Sequence, residues 1–199
     1  MKTALLFLNG EPPNSFILKP YNTIGCTDGA YHYAKKLPVK LDFVLGDFDS
    51  INPNEIENIE IIIKPDQNYT DFEKAIQYLI EKKINSVEIW GGSGKEEDHF
   101  LGNISVLVQY HKKIEMIFHT DTHYFFMAKK VNHFRVKKNK IISLFPLNHV
   151  KEITTSGLEF PLKNESLKIG KRIGIRNKSK DKQISIVLKK GKLLTIVEK

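Results

Sequence analysis

The stretch VLGDFDS, Val44 to Ser50, decides how this chain is read. An apolar run ends at Gly46 and is followed at once by two acids, Asp47 and Asp49, with Phe48 between them. Side chains alternate along an extended chain, so both carboxylates are expected on one side with Phe48 turned away. Two such charges repel unless a cation or a proton lies between them. A solvated turn, with Asp49 capping the next segment, is the plainer reading of an isolated Asp-x-Asp pair. The rest of the chain has to decide between the two.

Outward from this stretch, the first part of the chain alternates two periodicities. TALLFL, NTIGCT, DFVLG, EIIIK, SVEIWG and IEMIFHT are short β-rich runs, several ending in Gly, Asp or Asn. GAYHYAKKL, TDFEKAIQYLIEKK and DHFLGNISVLVQYHKK lie between them as helical segments. In the second of these, Phe72, Ala75, Ile76, Leu79 and Ile80 fall at helical spacing. Thr70 and Glu73 have the spacing of a capping box, which starts that helix at Thr70. The alternation predicts an open, mostly parallel α/β sheet. Ligands of such sheets bind at the carboxyl ends of the strands.

After Ala128 the helical pattern stops. HFRVKK, KIISLFPL, VKEITTSGLEF, SLKIGKRIGIR, QISIVLKK and KLLTIVEK read as strands separated by Asn, Gly, Lys and Ser turns. VLKKGKLLTIV reads as a hairpin closing on Lys190-Gly191. The expectation is a smaller all-β sandwich or barrel over residues 129–199, following an α/β domain over 1–128. Charge divides at the same place. Residues 1–128 hold 12 Lys/Arg and 18 Asp/Glu, a net of −6, and residues 129–199 hold 19 and 5, a net of +14. Such asymmetry suggests two domains with different tasks.

Bulk composition removes other classes. With 41% hydrophobic and 27% charged residues the balance is that of a globular protein. The single cysteine, Cys26, excludes an intrachain disulfide and a thiolate metal site, and reads as a small buried hydrophobe. No apolar run is long enough to span a bilayer. MKTALLFLNGEPP has a lysine and an apolar run but no small-residue cleavage site, so it reads as a first buried strand of a cytoplasmic protein. His119 and His123 lie in an extended stretch and need not meet; Trp90 reads as sheet core.

Three further stretches place acids after strands. GCTDGA carries Asp28 and Gly29, KPDQNYTD carries Asp66, Gln67, Thr70 and Asp71, and GGSGKEEDHFLGN carries Asp98, His99 and Asn103. Each acid alone has an ordinary role at a helix start. In a parallel sheet, however, these strand ends share one edge, so Asp47, Asp49, Asp71 and Asp98 converge. Oxygen-only carboxylate ligands suit Mg²⁺ rather than zinc, and Mg²⁺ held this way usually accompanies a phosphate chain. The Gly91-Gly92-Ser93-Gly94 turn offers backbone N–H groups for a phosphate, without a Walker pattern.

The ordered set DGAYHYA, VLGDFDSI, DQNYTDFEKAI, GGSGKEEDHFLGNI and TTSGLEFPL resembles the thiamine pyrophosphokinase family over nearly the whole chain. The resemblance implies an N-terminal α/β domain and a C-terminal β-sandwich. It implies transfer of the pyrophosphoryl group of ATP to the hydroxyl of thiamine, giving thiamine diphosphate and AMP. Asp47, Asp49 and Asp71 would hold Mg²⁺. Asp28, Gly29, Gln67, Thr70 and Lys95 would line the ATP site. Asp98 would approach the thiamine hydroxyl, with Ser156 and Phe160 also in the thiamine site. It further implies a homodimer with the active site shared between subunits. Two positions depart from the family pattern. Glu96 stands where the family has arginine, with Lys95 beside it to supply a charge, and Phe160 stands where the family has tryptophan.

Two rival readings remain on the residues themselves. A Mg²⁺-dependent phosphohydrolase could use Asp47 as nucleophile. A nucleic-acid-binding protein could use the basic second domain, but that reading wants aromatics among the basic residues, and none comes after Phe160. No nucleic-acid or membrane partner is therefore expected.

Overall fold

The computed structural model describes residues 1–49 and 51–199; Ser50, the last residue of VLGDFDS, lies outside the described residues. The chain divides into two compact units, Met1–Asp121 and Thr122–Lys199.

Among the described residues the first unit has six strands: β1 (Thr3–Phe7), β2 (Thr23–Thr27), β3 (Phe43–Gly46), β4 (Glu60–Ile63), β5 (Ser86–Trp90) and β6 (Glu115–His119). They pair in the order β6-β5-β1-β2-β3-β4, every pair parallel. All six strands expected from the sequence are present. β3 is buried along its whole length, and β1 is buried after Thr3. That explains their continuous apolar runs, since parallel strands are covered on both faces. The strand order reverses between β1 and β5, the switch point at which open α/β sheets form their crevice.

Among the described residues three α-helices accompany this sheet: α1 (Tyr31–Ala34), α2 (Asp71–Glu81) and α3 (Glu97–Tyr110). The first is far shorter than GAYHYAKKL predicts. A 3₁₀ turn, Asp28–Ala30, precedes it, and Pro38 disfavours helical backbone in the residue before it. Lys36 and Leu37 end the segment with bonds to the third residue back, at 3.0 and 3.1 Å. α2 begins as expected, with Thr70 Oγ1 accepting from the Glu73 N–H at 3.2 Å. The Glu73 carboxylate turns instead to α3, accepting from Gln109 and Tyr110, both at 2.9 Å. α2 ends with Lys83 at φ 59°, while Lys83 N–H bonds Ile80 and Ile84 N–H bonds Leu79. Phe72, Ala75, Ile76 and Leu79 are buried as predicted; Lys74 and Tyr78 are buried beside them.

The second unit comprises β7 (His123–Met127), β8 (Val131–Arg135), β9 (Ile141–Pro146), β10 (His149–Ser156), β11 (Glu165–Lys168), β12 (Gly174–Lys178), β13 (Gln183–Val187) and β14 (Leu193–Glu198). Its strands form two antiparallel sets, β12-β9-β14-β7 and β11-β10-β13-β8. Ile142, Leu144, Val150, Ile153, Leu167, Ile184, Ile186, Leu193 and Val197 form the core of this sandwich. Burial of each such side chain contributes roughly 1.5–3 kcal/mol. β7 pairs with β14, which puts the start of this unit before the expected boundary at 128/129.

VLKKGKLLTIV is not a hairpin. β13 pairs with β10 and β8, whereas β14 pairs with β7 and β9. Lys190-Gly191 instead carries the chain from one sheet to the other. Gly191 takes φ 121°, and a Cβ there would lie 2.6 Å from Val150 Cα. Local turn residues looked the same in either topology. Among the described residues no helix is long and apolar enough to cross a membrane.

Candidate functional site

The carboxyl ends of β1, β2, β3 and β5 and the starts of α2 and α3 border an open cleft of about 560 Å³. Nine residues singled out from the sequence line it: Asp28, Gly29, Asp47, Asp49, Gln67, Thr70, Asp71, Lys95 and Asp98. Ser156 and Phe160 belong to the second unit.

Asp28 organises the turn from Gly46 to Asp49. It is 3% exposed. Its Oδ1 accepts from Gly29 N–H at 2.7 Å and its Oδ2 from Phe48 N–H at 2.9 Å. The carboxylate packs so closely on Gly46 that a Cβ there would lie 2.3 Å from Asp28 Cγ. Phe48 has φ 61°. The strand therefore ends at Gly46, and the period-two argument does not extend over Asp47 and Asp49. The alternation expected there is corrected: a left-handed residue between the acids, held by Asp28, sets their directions.

Asp28, which the sequence reading placed with the nucleotide, joins Asp47 and Asp71. One carboxylate oxygen from each of Asp28, Asp47 and Asp71 lies within 4.8 Å of the others. Asp49 lines the same cleft, and its N–H donates to Asp47 Oδ1 at 3.3 Å. Gln67 Nε2 donates to Asp47 Oδ2 at 2.7 Å, and Lys74 Nζ to Asp71 Oδ1 at 3.0 Å. The Gln67 bond is the main cause that lowers the Asp47 pKa. Burial raises the pKa of Asp28 and of Asp71, and neighbouring acids add to the rise in both. Three carboxylates facing one lysine thus leave an excess of negative charge. All three offer hard oxygen donors, the donor set of a divalent cation such as Mg²⁺. The residues fit that ion.

The opposite wall comes from two loops held together beyond their strands. Leu8 N–H bonds Trp90 O at 2.8 Å, Gly10 N–H bonds Gly91 O at 2.7 Å, and Glu11 N–H bonds Ser93 O at 2.7 Å. Gly91 has φ 71°, and a Cβ there would meet Leu8 O at 2.0 Å, so no other residue fits. Asn103 Nδ2 donates to Gly92 O at 3.0 Å and ties this loop to α3. Lys95 Nζ donates to Asn9 Oδ1 at 3.1 Å. Asp98 sits in the first turn of α3 and accepts from His99 N–H at 2.8 Å; Glu96 occupies the capping position without a side-chain cap.

Sequence reasoning passed over Asn9, Gly10 and Lys74. The first two follow β1, which lies inside the sheet, so their position at a carboxyl end was a usable signal. Lys74 follows Asp71 by three residues, the spacing at which an acid and a lysine meet on a helix, a second signal.

In the second unit, Thr155 Oγ1 accepts from Leu162 N–H at 2.8 Å and Thr154 Oγ1 from Asn164 N–H at 3.2 Å. Asn177 clamps the backbone of Phe160 from both sides, at 3.1 and 2.7 Å. The Phe160 side chain points away from the core and stays exposed.

Fold and site define a kinase-type transferase: oxygen-only carboxylates and glycine backbone on the carboxyl edge of a parallel sheet, with an antiparallel β unit after it. The family model for the thiamin pyrophosphokinase catalytic domain matches residues 17–118, and that for the thiamin pyrophosphokinase vitamin B1 binding domain matches residues 127–193. The chain belongs to the thiamine pyrophosphokinase family. It is 25% identical to thiamin pyrophosphokinase 1 of Caenorhabditis elegans, over 92% of this chain and 84% of that protein. It is 29% identical to thiamine pyrophosphokinase of Bacillus subtilis, over 76% of this chain and 75% of the relative. The crystal structure of the Bacillus subtilis protein superposes with a TM-score of 0.86 at 22% identity, covering 98% of each chain. Thiamin pyrophosphokinase from Candida albicans gives 0.86 at 19% identity, covering 99% of this chain and 88% of that one. At these identities the structures show the shared fold.

Proposed function

We infer that this protein transfers the pyrophosphoryl group of ATP to the hydroxyl of thiamine. The hydroxyl oxygen bonds to the β-phosphorus. The bond from that phosphorus to the bridging oxygen of the α-phosphate breaks, its electron pair leaves with AMP, and the hydroxyl proton is released. Membership of the family supports the reaction. The observation that carries its location is the convergence of Asp28, Asp47 and Asp71 on one cleft with Gln67, Thr70 and Lys95.

Asp47, Asp49 and Asp71 would hold Mg²⁺, with Asp28 close enough to Asp47 and Asp71 to share it, and the bound ion would neutralise charge on the nucleotide phosphates. Asp28 also fixes the Asp47–Asp49 segment through Phe48 N–H. Gln67 holds Asp47 ionised and oriented. Gly29, Thr70 and Lys95 border the nucleotide, and Asp98 accepts the hydrogen bond of the thiamine hydroxyl. Positioning and charge stabilisation of this kind account for most catalysis in phosphoryl transfer. Ser156 and the exposed ring of Phe160 receive thiamine, the ring stacking on its aminopyrimidine. Exposed Phe160, Ile169, Ile173 and Ile175 support a homodimer in which the active site is shared between subunits. Dependence on ATP supports a cytoplasmic location, and the lack of aromatics after Phe160 argues against a nucleic-acid partner.

Incubation with ATP, Mg²⁺ and thiamine tests the reading. AMP and thiamine diphosphate are expected in equal amounts. ADP or inorganic phosphate as the stoichiometric product would sink it.

A further inference from the structure

Lys74 is 4% exposed, yet it lines the cleft. Its ammonium has one partner among the described residues, Asp71 Oδ1 at 3.0 Å. An ammonium carries three N–H donors, so two are left for something other than the protein.

Helix stability does not explain this lysine. It is the fourth residue of α2, where a cation opposes the positive end of the helix dipole. It is buried one turn before Tyr78, on the other side of α2 from Phe72 and Ile76, where an apolar side chain would pack without desolvating a charge. Pairing with Asp71 uses only one of its three donors. An acid at the first helical position already has a favourable dipole, and the Asp71 side chain is 31% exposed to water. A buried cation with spare donors, facing an open cleft, suits an anionic ligand. Lys74 and Lys95 are the two lysines that line the cleft. Lys95 is exposed, so Lys74 is the one whose position is fixed by packing.

We propose that Lys74 is a catalytic residue that donates hydrogen bonds to non-bridging oxygens of the phosphoryl chain being transferred. The proposal rests on the reaction inferred above. A preorganised donor stabilises the charge that grows on those oxygens, and no bond to the lysine forms or breaks. In the free protein the same ammonium offsets one of the three carboxylates.

The test compares wild type with Lys74→Gln. Turnover of ATP and thiamine should fall about 10²–10³-fold. By calorimetry with Mg²⁺ present, ATP affinity should fall at least about tenfold, while AMP, which lacks the transferred group, should bind within about twofold of wild type. A purely structural role would lower the melting temperature and weaken ATP, AMP and thiamine binding together; that result overturns the proposal. So does turnover within threefold of wild type. If the glutamine protein does not fold, Lys74→Met keeps the packing of the stem and carries the same comparison. Wild type that makes no AMP would defeat the inferred reaction, yet the ATP-against-AMP binding comparison would still stand on its own.

Discussion

Phe160 is 68% exposed, and its backbone is fixed by Asn177. A ring held in water by a rigid loop contributes little to folding and is available to stack. Stacking or cation–π contact with thiamine contributes roughly 0.5–2 kcal/mol. Phe160→Ala should therefore raise the thiamine KM several-fold to tens-fold and leave the ATP KM and the melting temperature nearly unchanged. Steady-state kinetics with each substrate varied, alongside a thermal melt, checks this; an unaltered thiamine KM would refute the stacking role. Sequence alone could not separate a stacking Phe160 from a core one, because the periodicity of TTSGLEFPL breaks at Gly157. The acids were easier to read. Their residue types and their places after strands were visible, and Asp28, Asp47, Asp49, Asp71 and Asp98 line one cleft, while Asp66 does not. That Asp28 joins the carboxylate group was not visible, because it rests on the bond between its carboxylate and the Phe48 N–H, twenty residues away.

β5 carries a polar device on one face. Glu88, half-buried in this strand, accepts from Lys19 at 2.8 Å and from Tyr21 at 3.0 Å, and lies 3.2 Å from His119 Nε2 on β6. His119 stacks on Trp90, which packs near Phe16. Together these contacts pin the segment between β1 and β2 to the sheet. The His119 ring 3.2 Å away, helped by Lys19 and opposed by burial, lowers the Glu88 pKa from 4.5 to about 2. A depressed carboxylate pKa stabilises the fold above the unfolded value, and that stability is lost as pH falls through the folded one. Glu88→Gln should cost about 2 kcal/mol at pH 7, and the gap to wild type should close as pH falls from 4.5 toward 2. Denaturant unfolding at several pH values measures it; a gap independent of pH would mean the glutamate acts by packing alone. At this scale the strands were legible, since each is an apolar run bounded by turn residues. Partnership between strands was less so, as β13 and β14 show, because turn chemistry at Lys190-Gly191 does not reveal which sheet comes next.

Charge is divided between the two units as it was between the two halves of the sequence. No Asp, Glu, Lys or Arg lies from 122 to 128, so the first unit carries −6 and the second +14. Five acids cannot pair with nineteen cations, and the surplus destabilises the second unit by self-repulsion. Screening acts over about 8–10 Å at 0.1–0.15 M salt. Raising KCl from about 20 to 200 mM should then raise the melting temperature by roughly 2–5 °C. A melting temperature that falls with salt would show that attractive pairs outweigh the repulsion. Fold class and the two-part organisation were legible because both rest on features repeated many times, periodicity and charge. The exact joint was not, since HYFFM offers five residues that are neither clearly strand nor turn until β14 pairs with them.

β14 lies between β7 and β9, and so at the centre of its sheet rather than at its margin. A growing polypeptide meets the two units differently. The parallel sheet can close once β6 has left the ribosome. The sandwich has no complete hydrophobic interior until residues 193–198 emerge, and until then β7 and β9 each present an unpaired edge. Emergence of the N-terminal unit ahead of its neighbour leaves a basic, edge-exposed nascent segment that depends on its net charge to stay out of aggregates. The same surplus of lysine that weakens the finished second unit protects it while it is being made.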